Sequence, residues 1–343
     1  MTPSRPISVL IVDDSAVARA SLGRIIDSCD DLVLAATATR ADHAIAWLRQ
    51  NNVDIVLLDL EMPGQGGLAA LPELIDAGRG AQILIVSSTA REGAEATVRA
   101  LALGAADTLA KPSAGLLNQT FGISLIDRIR RLGRAVEQEQ RETNIVLRPA
   151  VAFPVALLAI GASTGGLRAL AEFFAHLPAR FDAPIFVTQH LPDAFMNYFA
   201  EQLGASAGRF ARVARDGDLA IAGDILVAPG TAHMTIERVG QNLRIKLSTS
   251  QTVSRCCPSI DPMLASAADA AGQSAVAVIL TGMGRDGEVG ARHIVQRGGS
   301  VIAQDKASSA VWGMPGTVVK SGLASVVGNP TTLAKHLMMR GSS

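Results

Sequence analysis

Three short stretches carry a nucleophile, a base and an acid at comparable places in their surroundings. They are Gly161-Ala162-Ser163-Thr164-Gly165, Gln189-His190-Leu191-Pro192 and Thr281-Gly282-Met283-Gly284-Arg285-Asp286-Gly287. A serine hydroxyl attacks a carbonyl only when a base takes its proton, and an imidazole serves as that base when a carboxylate fixes its tautomer. Ser163, His190 and Asp286 supply the set. A second group consists of carboxylates alone: Asp13, Asp14 and Asp59. Clustered carboxylates repel one another unless a cation sits among them, and an oxygen-only set suits Mg²⁺. Ser87 and Lys111 add a hydroxyl and an ammonium that could donate to a phosphoryl group on Asp59.

Each of these residues follows an apolar run. Val155 to Ile160 reads as a strand buried on both faces, and Leu167 to Phe174 resumes with helical spacing. The G-x-S-x-G turn between them would lift the Ser163 hydroxyl to the carboxyl edge of a parallel sheet, with the amino end of the helix aimed at a developing oxyanion. Read alone, the stretch serves equally as a phosphate-binding loop or an ordinary strand-to-helix turn. Pro184 to Thr188 predicts a second strand, ending at His190, with Asp193 as the cap of a helix through Leu203. Ala275 to Leu280 predicts a third, ahead of Asp286. Between Asp216 and Leu247, short strand-like pieces separated by turn signals predict an antiparallel insertion, with Ala228 to His233 as a loop at its edge. The chain order Ser, His, Asp differs from that of α/β-hydrolases, where the acid precedes the histidine.

In the amino-terminal half, strand and helix alternate five times. Strands are expected at Ile7–Val12, Leu32–Ala36, Val53–Leu58, Gln82–Val86 and Ala105–Leu109, with Ser15 capping the first helix. The alternation predicts a doubly wound parallel sheet whose carboxyl edge gathers Asp13, Asp14, Asp59, Ser87 and Lys111. Leu125, Ile129, Leu132 and Val136 share one face of a last helix, and the charged run Glu137 to Glu142 beyond it reads as a solvated linker.

The 343 residues suffice for two domains, and 48% apolar with 18% charged residues is a globular composition. Lys plus Arg and Asp plus Glu both number 31, so no charge excess draws the chain to nucleic acid or to an anionic membrane. Cys29, Cys256 and Cys257 make no disulfide framework, and their spacing in sequence matches no zinc motif. Neither a signal segment nor an apolar run of spanning length is present, which leads us to expect a soluble cytoplasmic protein.

The strand-end residues of the first half resemble the receiver domain of two-component response regulators, over roughly residues 7 to 134. That resemblance implies a flavodoxin-like fold in which Asp13 and Asp14 help bind Mg²⁺ and Asp59 accepts phosphate from a histidine kinase. Ser87 would sense the phosphoryl group, and Lys111 would pair with it ahead of a cis bond to Pro112. After Glu61-Met62-Pro63 the family has an Asp-Gly pair, where Gly66-Gly67 stand here.

The second half carries G-A-S-T-G-G, Q-H-L-P, A-P-G, L-T-G-M-G-R-D-G and A-Q-D-K-A-S-S-A-V-W-G-M-P. Together these resemble the catalytic domain of the chemotaxis protein-glutamate methylesterases, the CheB family, over roughly residues 153 to 336. The resemblance implies Ser163 as nucleophile, His190 as base and Asp286 as orienting acid. Thr164 and Met283 would shape the active site and oxyanion hole, and hydrolysis would need no cofactor. Methyl-accepting chemoreceptors would be the substrate, with deamidation of receptor glutamines as a second activity and a chemotaxis histidine kinase as phosphodonor. Cys256-Cys257-Pro258-Ser259-Ile260-Asp261 departs from the family's Arg-Pro-Ser-Val-Asp stretch. The expected organisation is a receiver at 1–134, a linker at 135–152 and a doubly wound, mostly parallel catalytic domain at 153–343. Two alternatives stay open: a phosphorylation-gated binding module with an idle site, and the same enzyme in an array that controls something other than motility.

Overall fold

Unbroken apolar runs between polar turns become central strands because both faces of such a strand lie under helices. This happens twice in the computed structural model of the chain, which describes residues 5–62, 66–87, 91–112, 119–137, 146–149, 154–178 and 181–338. The chain divides into two units, Met1–Arg141 and Glu142–Ser343.

In the first unit β1 (Ile7–Val12), β2 (Leu32–Ala38), β3 (Ile55–Leu58), β4 (Gln82–Ser87) and β5 (Asp107–Ala110) form a parallel sheet in the order β2-β1-β3-β4-β5. All four residues of β3 are buried, whereas edge strand β2 alternates along most of its length. Five helices cover the sheet: α1 (Ala16–Asp27), α2 (Ala41–Leu48), α3 (Gly67–Ala77), α4 (Arg91–Leu103) and α5 (Gln119–Glu137). The Ser15 hydroxyl accepts from Ala18 N at 3.3 Å and caps α1 as expected. Leu125, Ile129 and Leu132 of α5 are buried; the Val136 side chain lies outside the described residues. The strand order reverses direction between β1 and β3, so the crevice of this sheet opens where Asp13 and Asp59 stand.

The second unit holds a seven-stranded sheet in the order β15-β14-β13-β6-β7-β10-β8, and every pair in it is parallel. Its strands are β6 (Leu157–Ala162), β7 (Ile185–Gln189), β8 (Ala211–Val213), β10 (Ile225–Val227), β13 (Ala275–Ile279), β14 (Ser300–Gln304) and β15 (Val326–Gly328). Helices α6 (Gly166–Ala175), α7 (Asp193–Ala207), α8 (Ile260–Ala271), α9 (Glu288–Gln296), α10 (Met314–Lys320) and α11 (Pro330–Met338) alternate with them. The predicted insertion is a small antiparallel sheet of β11 (His233–Val239), β12 (Asn242–Ser248) and β9 (Leu219–Ala220). It closes over α8, sharing a core in which Met234, Ile236 and Ile245 meet Met263, Leu264 and Ala267. The sequence reading placed all pieces between Asp216 and Leu247 in that insertion. The structure instead puts Ile225–Val227 into the main sheet, where all three residues are buried and pair in parallel with β7 and β8. Among the described residues no helix is long and apolar enough to cross a membrane.

Candidate functional site

The middle of the large sheet is its topological switch point: the chain lays down β6, moves to β7 on one side, and later returns to β13 on the other. Ligands of open α/β sheets bind at such a crevice, outside the carboxyl ends of the strands. Ser163 follows β6, His190 follows β7, and Asp286 lies beyond β13 just before α9. Ala162 and Gln189 are direct strand partners, so Ser163 and His190 leave the sheet side by side, with His190 N donating to Ala162 O at 3.2 Å. On the other flank Ser163 N donates to Thr281 O at 3.0 Å.

The nucleophile turn is held by groups far away in sequence. The buried Gln189 donates through Nε2 to Ser163 O at 2.8 Å. Its Oε1 crowds Gly166 so closely that a Cβ there would collide with it. Gly165 has φ 74°, and a side chain on it would meet Ala310 Cβ at 2.5 Å, so both glycines of the turn are required by position. Thr281 Oγ1 donates to Thr164 O at 2.9 Å and accepts from Val311 N at 3.0 Å, while Thr281 N donates to Gln304 Oε1 at 2.7 Å. Trp312 Nε1 donates to Gln304 O at 2.9 Å. The A-Q-D-K-A-S-S-A-V-W-G-M-P segment is thus scaffolding that fixes the Ser163 turn from behind. Met283 is half-buried beside it, with its Cα 3.1 Å from where a Cβ on Gly313 would lie.

His190 and Asp286 meet directly, Nε2 to Oδ2 at 2.8 Å. Asp286 is 2% exposed, and a buried carboxylate needs compensation. Ser259 Oγ donates to Oδ1 at 2.7 Å, Ile260 N donates to Oδ2 at 2.8 Å, and both belong to the amino end of α8, whose dipole favours an anion there. Burial alone would raise the Asp286 pKa. The His190 hydrogen bond and charge, the Ile260 N–H and the Ser259 hydroxyl outweigh it and bring the pKa down to about 2. Neighbouring Asp261 goes the other way: burial, with the Asp286 charge added, raises it to about 6 against the pull of the Gly290 N–H. Ser259 is itself anchored by His233, whose Nδ1 accepts from Ser259 N at 2.9 Å and whose Nε2 faces Ser250 O at 2.8 Å. Among the described contacts the Ser163 hydroxyl has no hydrogen bond to His190. Such contacts often tighten only with substrate in place.

At the smaller sheet, carboxylate oxygens of Asp13, Asp14 and Asp59 lie within 4.8 Å of one another. Lys111 Nζ reaches Asp59 at 2.7 Å and Asp13 at 3.1 Å. Burial works to lower the Lys111 pKa, but the hydrogen bond and charge of Asp59, then those of Asp13, outweigh it and hold it above the ordinary lysine value. Burial raises the Asp13 pKa, and neither the Lys111 ammonium nor the Ser15 N–H offsets it fully. Three converging carboxylates make a donor set that fits a hard divalent cation such as Mg²⁺. Gly67 lies so near the Asp59 carbonyl that a Cβ would collide with it, and Gly66 has φ 67°. The glycine pair therefore lets α3 start against the acidic edge.

Several expectations change in detail. Ser87 ends β4 and is fully buried, sharing a 2.5 Å hydrogen bond with Thr97 Oγ1, which itself donates to Gly93 O. Asp193 does not cap α7; it is the first helical residue, and its Oδ1 accepts from Gly230 N at 3.1 Å, fastening the Ala228-Pro229-Gly230 loop. The cis proline bond among the described residues is Cys257–Pro258 rather than Lys111–Pro112, and Lys111 reaches both carboxylates without one. Pro63, Ser88, Phe153 and most of the charged linker lie outside the described residues. The sequence reading missed Gln189, His233, Ser259, Asp261, Thr281 and Gln304 as parts of the site. Ser259 and Asp261 stood in a stretch already marked as a departure, and Gln304 and Thr281 stood inside quoted motifs.

A carboxylate-lined parallel sheet and a second sheet bearing serine, histidine and aspartate at its switch point define a receiver-coupled hydrolase. Comparison with known proteins narrows this class. The CheB methylesterase family model matches residues 158–337, and the response regulator receiver domain model matches residues 9–119. The chain is 40% identical to protein-glutamate methylesterase/protein-glutamine glutaminase 2 of Caulobacter vibrioides, over 93% of this chain and 94% of that one. It is 36% identical to the protein-glutamate methylesterase/protein-glutamine glutaminase of Azospirillum brasilense, over 94% of this chain and 89% of that one. The crystal structure of the Thermotoga maritima CheB catalytic domain superposes with a TM-score of 0.53 at 34% identity, covering 54% of this chain and 98% of that one. The chain belongs to the CheB methylesterase family, with a response-regulator receiver ahead of the catalytic domain.

Proposed function

We propose that Ser163, His190 and Asp286 carry the hydrolysis in this chain, a protein-glutamate methylesterase/protein-glutamine glutaminase under the control of its receiver. The observation that supports it most is the His190–Asp286 pair at 2.8 Å, set at the sheet edge beside the Ser163 turn. With the Nε2 proton donated to Asp286, Nδ1 is the basic nitrogen of His190. It takes the Ser163 proton as Oγ attacks the ester carbonyl of a glutamate methyl ester, then returns that proton to the departing methanol. Water, activated by the same nitrogen, cleaves the acyl-serine and frees the carboxylate. The same two steps on a glutamine side chain release ammonia. In this reading Thr164 and Met283 shape the oxyanion hole; a backbone N–H donor placed there is worth about 3 kcal/mol of barrier.

In the receiver, Asp59 is the phosphoryl acceptor, and Asp13, Asp14 and Asp59 would hold Mg²⁺. Mg²⁺ bound there would supply charge neutralisation for phosphoryl transfer. Lys111 pairs with the phosphoryl oxygens, and Ser87 exchanges its bond to Thr97 for one to the phosphoryl group. The phosphodonor is a chemotaxis histidine kinase and the substrates are methyl-accepting chemoreceptors, met in the cytoplasm. Residues 135–152 link a receiver ending near residue 134 to a catalytic domain starting near 153.

The test is methanol release from methylated receptor membranes by the full chain. The parent releases methanol, and Ser163→Ala reduces release to the uncatalysed background. Release by Ser163→Ala at the parental rate would place the nucleophile elsewhere.

A further inference from the structure

One cysteine of the adjacent pair Cys256-Cys257 enters the active site. The Sγ of Cys256, a ring nitrogen of His190 and a carboxylate oxygen of Asp286 all lie within 4.8 Å of one another. The three donors come from three separate segments: the end of β7, the loop ahead of α8 and the loop ahead of α9. Cys256 is half-buried, whereas Cys257 is exposed and stands outside the set. The segment that carries Cys256 is tied down. Thr252 Oγ1 donates to Cys256 O at 3.4 Å, Cys256 N donates to Ser254 Oγ at 3.3 Å, and Ser254 Oγ meets Ser259 Oγ at 3.1 Å. The Cys256 thiol makes a long contact, 3.7 Å, to Ser254 O.

We propose that His190, Cys256 and Asp286 form a binding site for Zn²⁺, and that the bound ion silences the hydrolase reversibly. Thiolate, imidazole and carboxylate are the three donor types zinc takes, and three protein ligands leave a fourth tetrahedral position for water. Bonds of roughly 2.0–2.3 Å space tetrahedral donors about 3.3–3.8 Å apart, so the widest pair draws in by about 1.5 Å at most, while His190 Nε2 and Asp286 Oδ2, now at 2.8 Å, part by about half an ångström if that nitrogen binds. The ion replaces the thiol proton of Cys256, which leaves to solvent. Asp286 is already ionised, and His190 binds as the neutral imidazole. Two ligand charges then balance the ion, with no oxidant or reductant involved. Ser259 Oγ and Ile260 N already hold Asp286 in place, as outer-shell donors do for metal-bound carboxylates.

The inhibition follows whichever ring nitrogen binds. Zinc on Nδ1 removes the lone pair that would accept the Ser163 proton. Zinc on Nε2 takes the place of the proton shared with Asp286, and its charge opposes formation of the imidazolium. Metal binding stands without the hydrolase assignment, whereas the silencing rests on it, and the two are read separately.

The test uses the full chain with Co²⁺ as a spectroscopic probe and Zn²⁺ as inhibitor. Co²⁺ bound by a thiolate gives a near-ultraviolet charge-transfer band that carboxylate-only binding at the receiver cannot produce. The parent and Cys257→Ser show this band at one equivalent, Zn²⁺ displaces it, and Cys256→Ser lacks it with at least tenfold weaker Zn²⁺ binding. Methanol release by the parent falls at least tenfold with stoichiometric Zn²⁺ and returns with a chelator. For Cys256→Ser, each rate is compared with that variant's own metal-free rate and changes less than twofold. Absence of the band, or its persistence in Cys256→Ser, overturns the site. A Cys256-dependent band with zinc-insensitive hydrolysis overturns the silencing. If the metal-free parent releases no methanol, the hydrolase reading fails while the band still decides the metal site.

Discussion

The two sheet edges of this chain solve opposite problems with buried carboxylates. At the smaller sheet, Asp13 and Asp59 are compensated by one side-chain cation, the Lys111 ammonium, and burial still leaves Asp13 with a raised pKa. At the larger sheet, Asp286 is surrounded by the fixed donors Ser259 Oγ, Ile260 N and His190 Nε2, and its pKa falls to about 2. The acidic edge is left short of positive charge, which suits a place where Mg²⁺ and a phosphoryl group come and go. The other edge is complete in itself, which suits an acid that must stay ionised and immobile while a histidine cycles its proton.

The comparison breaks most visibly if the fixed carboxylate is neutralised. Asp286→Asn keeps the shape but allows His190 the wrong tautomer, and ester hydrolysis drops by about 10⁴-fold. His190→Ala costs as much or more, and the double variant costs little beyond the worse single one, because the residues act as a unit. Losses that multiply instead would show that the two act independently.

A smaller effect sharpens the role of the donors. Ser259→Ala removes one charge-assisted hydrogen bond, worth about 1.5 kcal/mol, and slows hydrolysis by about tenfold. It also raises the Asp286 pKa from about 2, so the titration profile of that carboxyl moves to higher pH. An unchanged profile would mean that the helix end alone holds the charge.

The smallest effect is on stability. Asp261 is raised to about 6 in the folded chain, above the unfolded value of about 3.9. Folding therefore takes up a proton between those two values, and its destabilising charge is fully present above pH 6. Asp261→Asn removes that charge while keeping an acceptor for Gly290 N. Its melting temperature should exceed the parent's at pH 8, with the gain fading as pH falls toward 4. A gain that grows on acidification would contradict the assignment.

Residues that end strands were legible in the sequence because strand, turn and helix are local patterns. Apolar runs announce the strands, and the polar residue that follows each run must lie at the carboxyl edge. Asp59 with Lys111, and His190 with Asp286, were placed together by that rule alone. Residues that hold the site across the fold left no such trace. Gln189 to Ser163, Ser259 to Asp286 and Thr281 to Gln304 join positions 26, 27 and 23 apart, with no periodicity to reveal them. Ile225–Val227 was hidden because three buried residues between turn signals look the same in a hairpin and in a central strand. Ser87 sits at the expected strand end, but its resting partner Thr97 comes from α4, which strand reading does not see.

That the phosphoryl state of one edge governs the chemistry of the other is tested most directly by methanol release with and without acetyl phosphate and Mg²⁺. The full chain and Asp59→Asn are assayed on the same methylated receptor membranes. The parent should accelerate on phosphorylation, and Asp59→Asn should stay at the unphosphorylated rate whether or not the donor is present. A parent indifferent to phosphodonor, or an Asp59→Asn chain that still responds, would contradict the account.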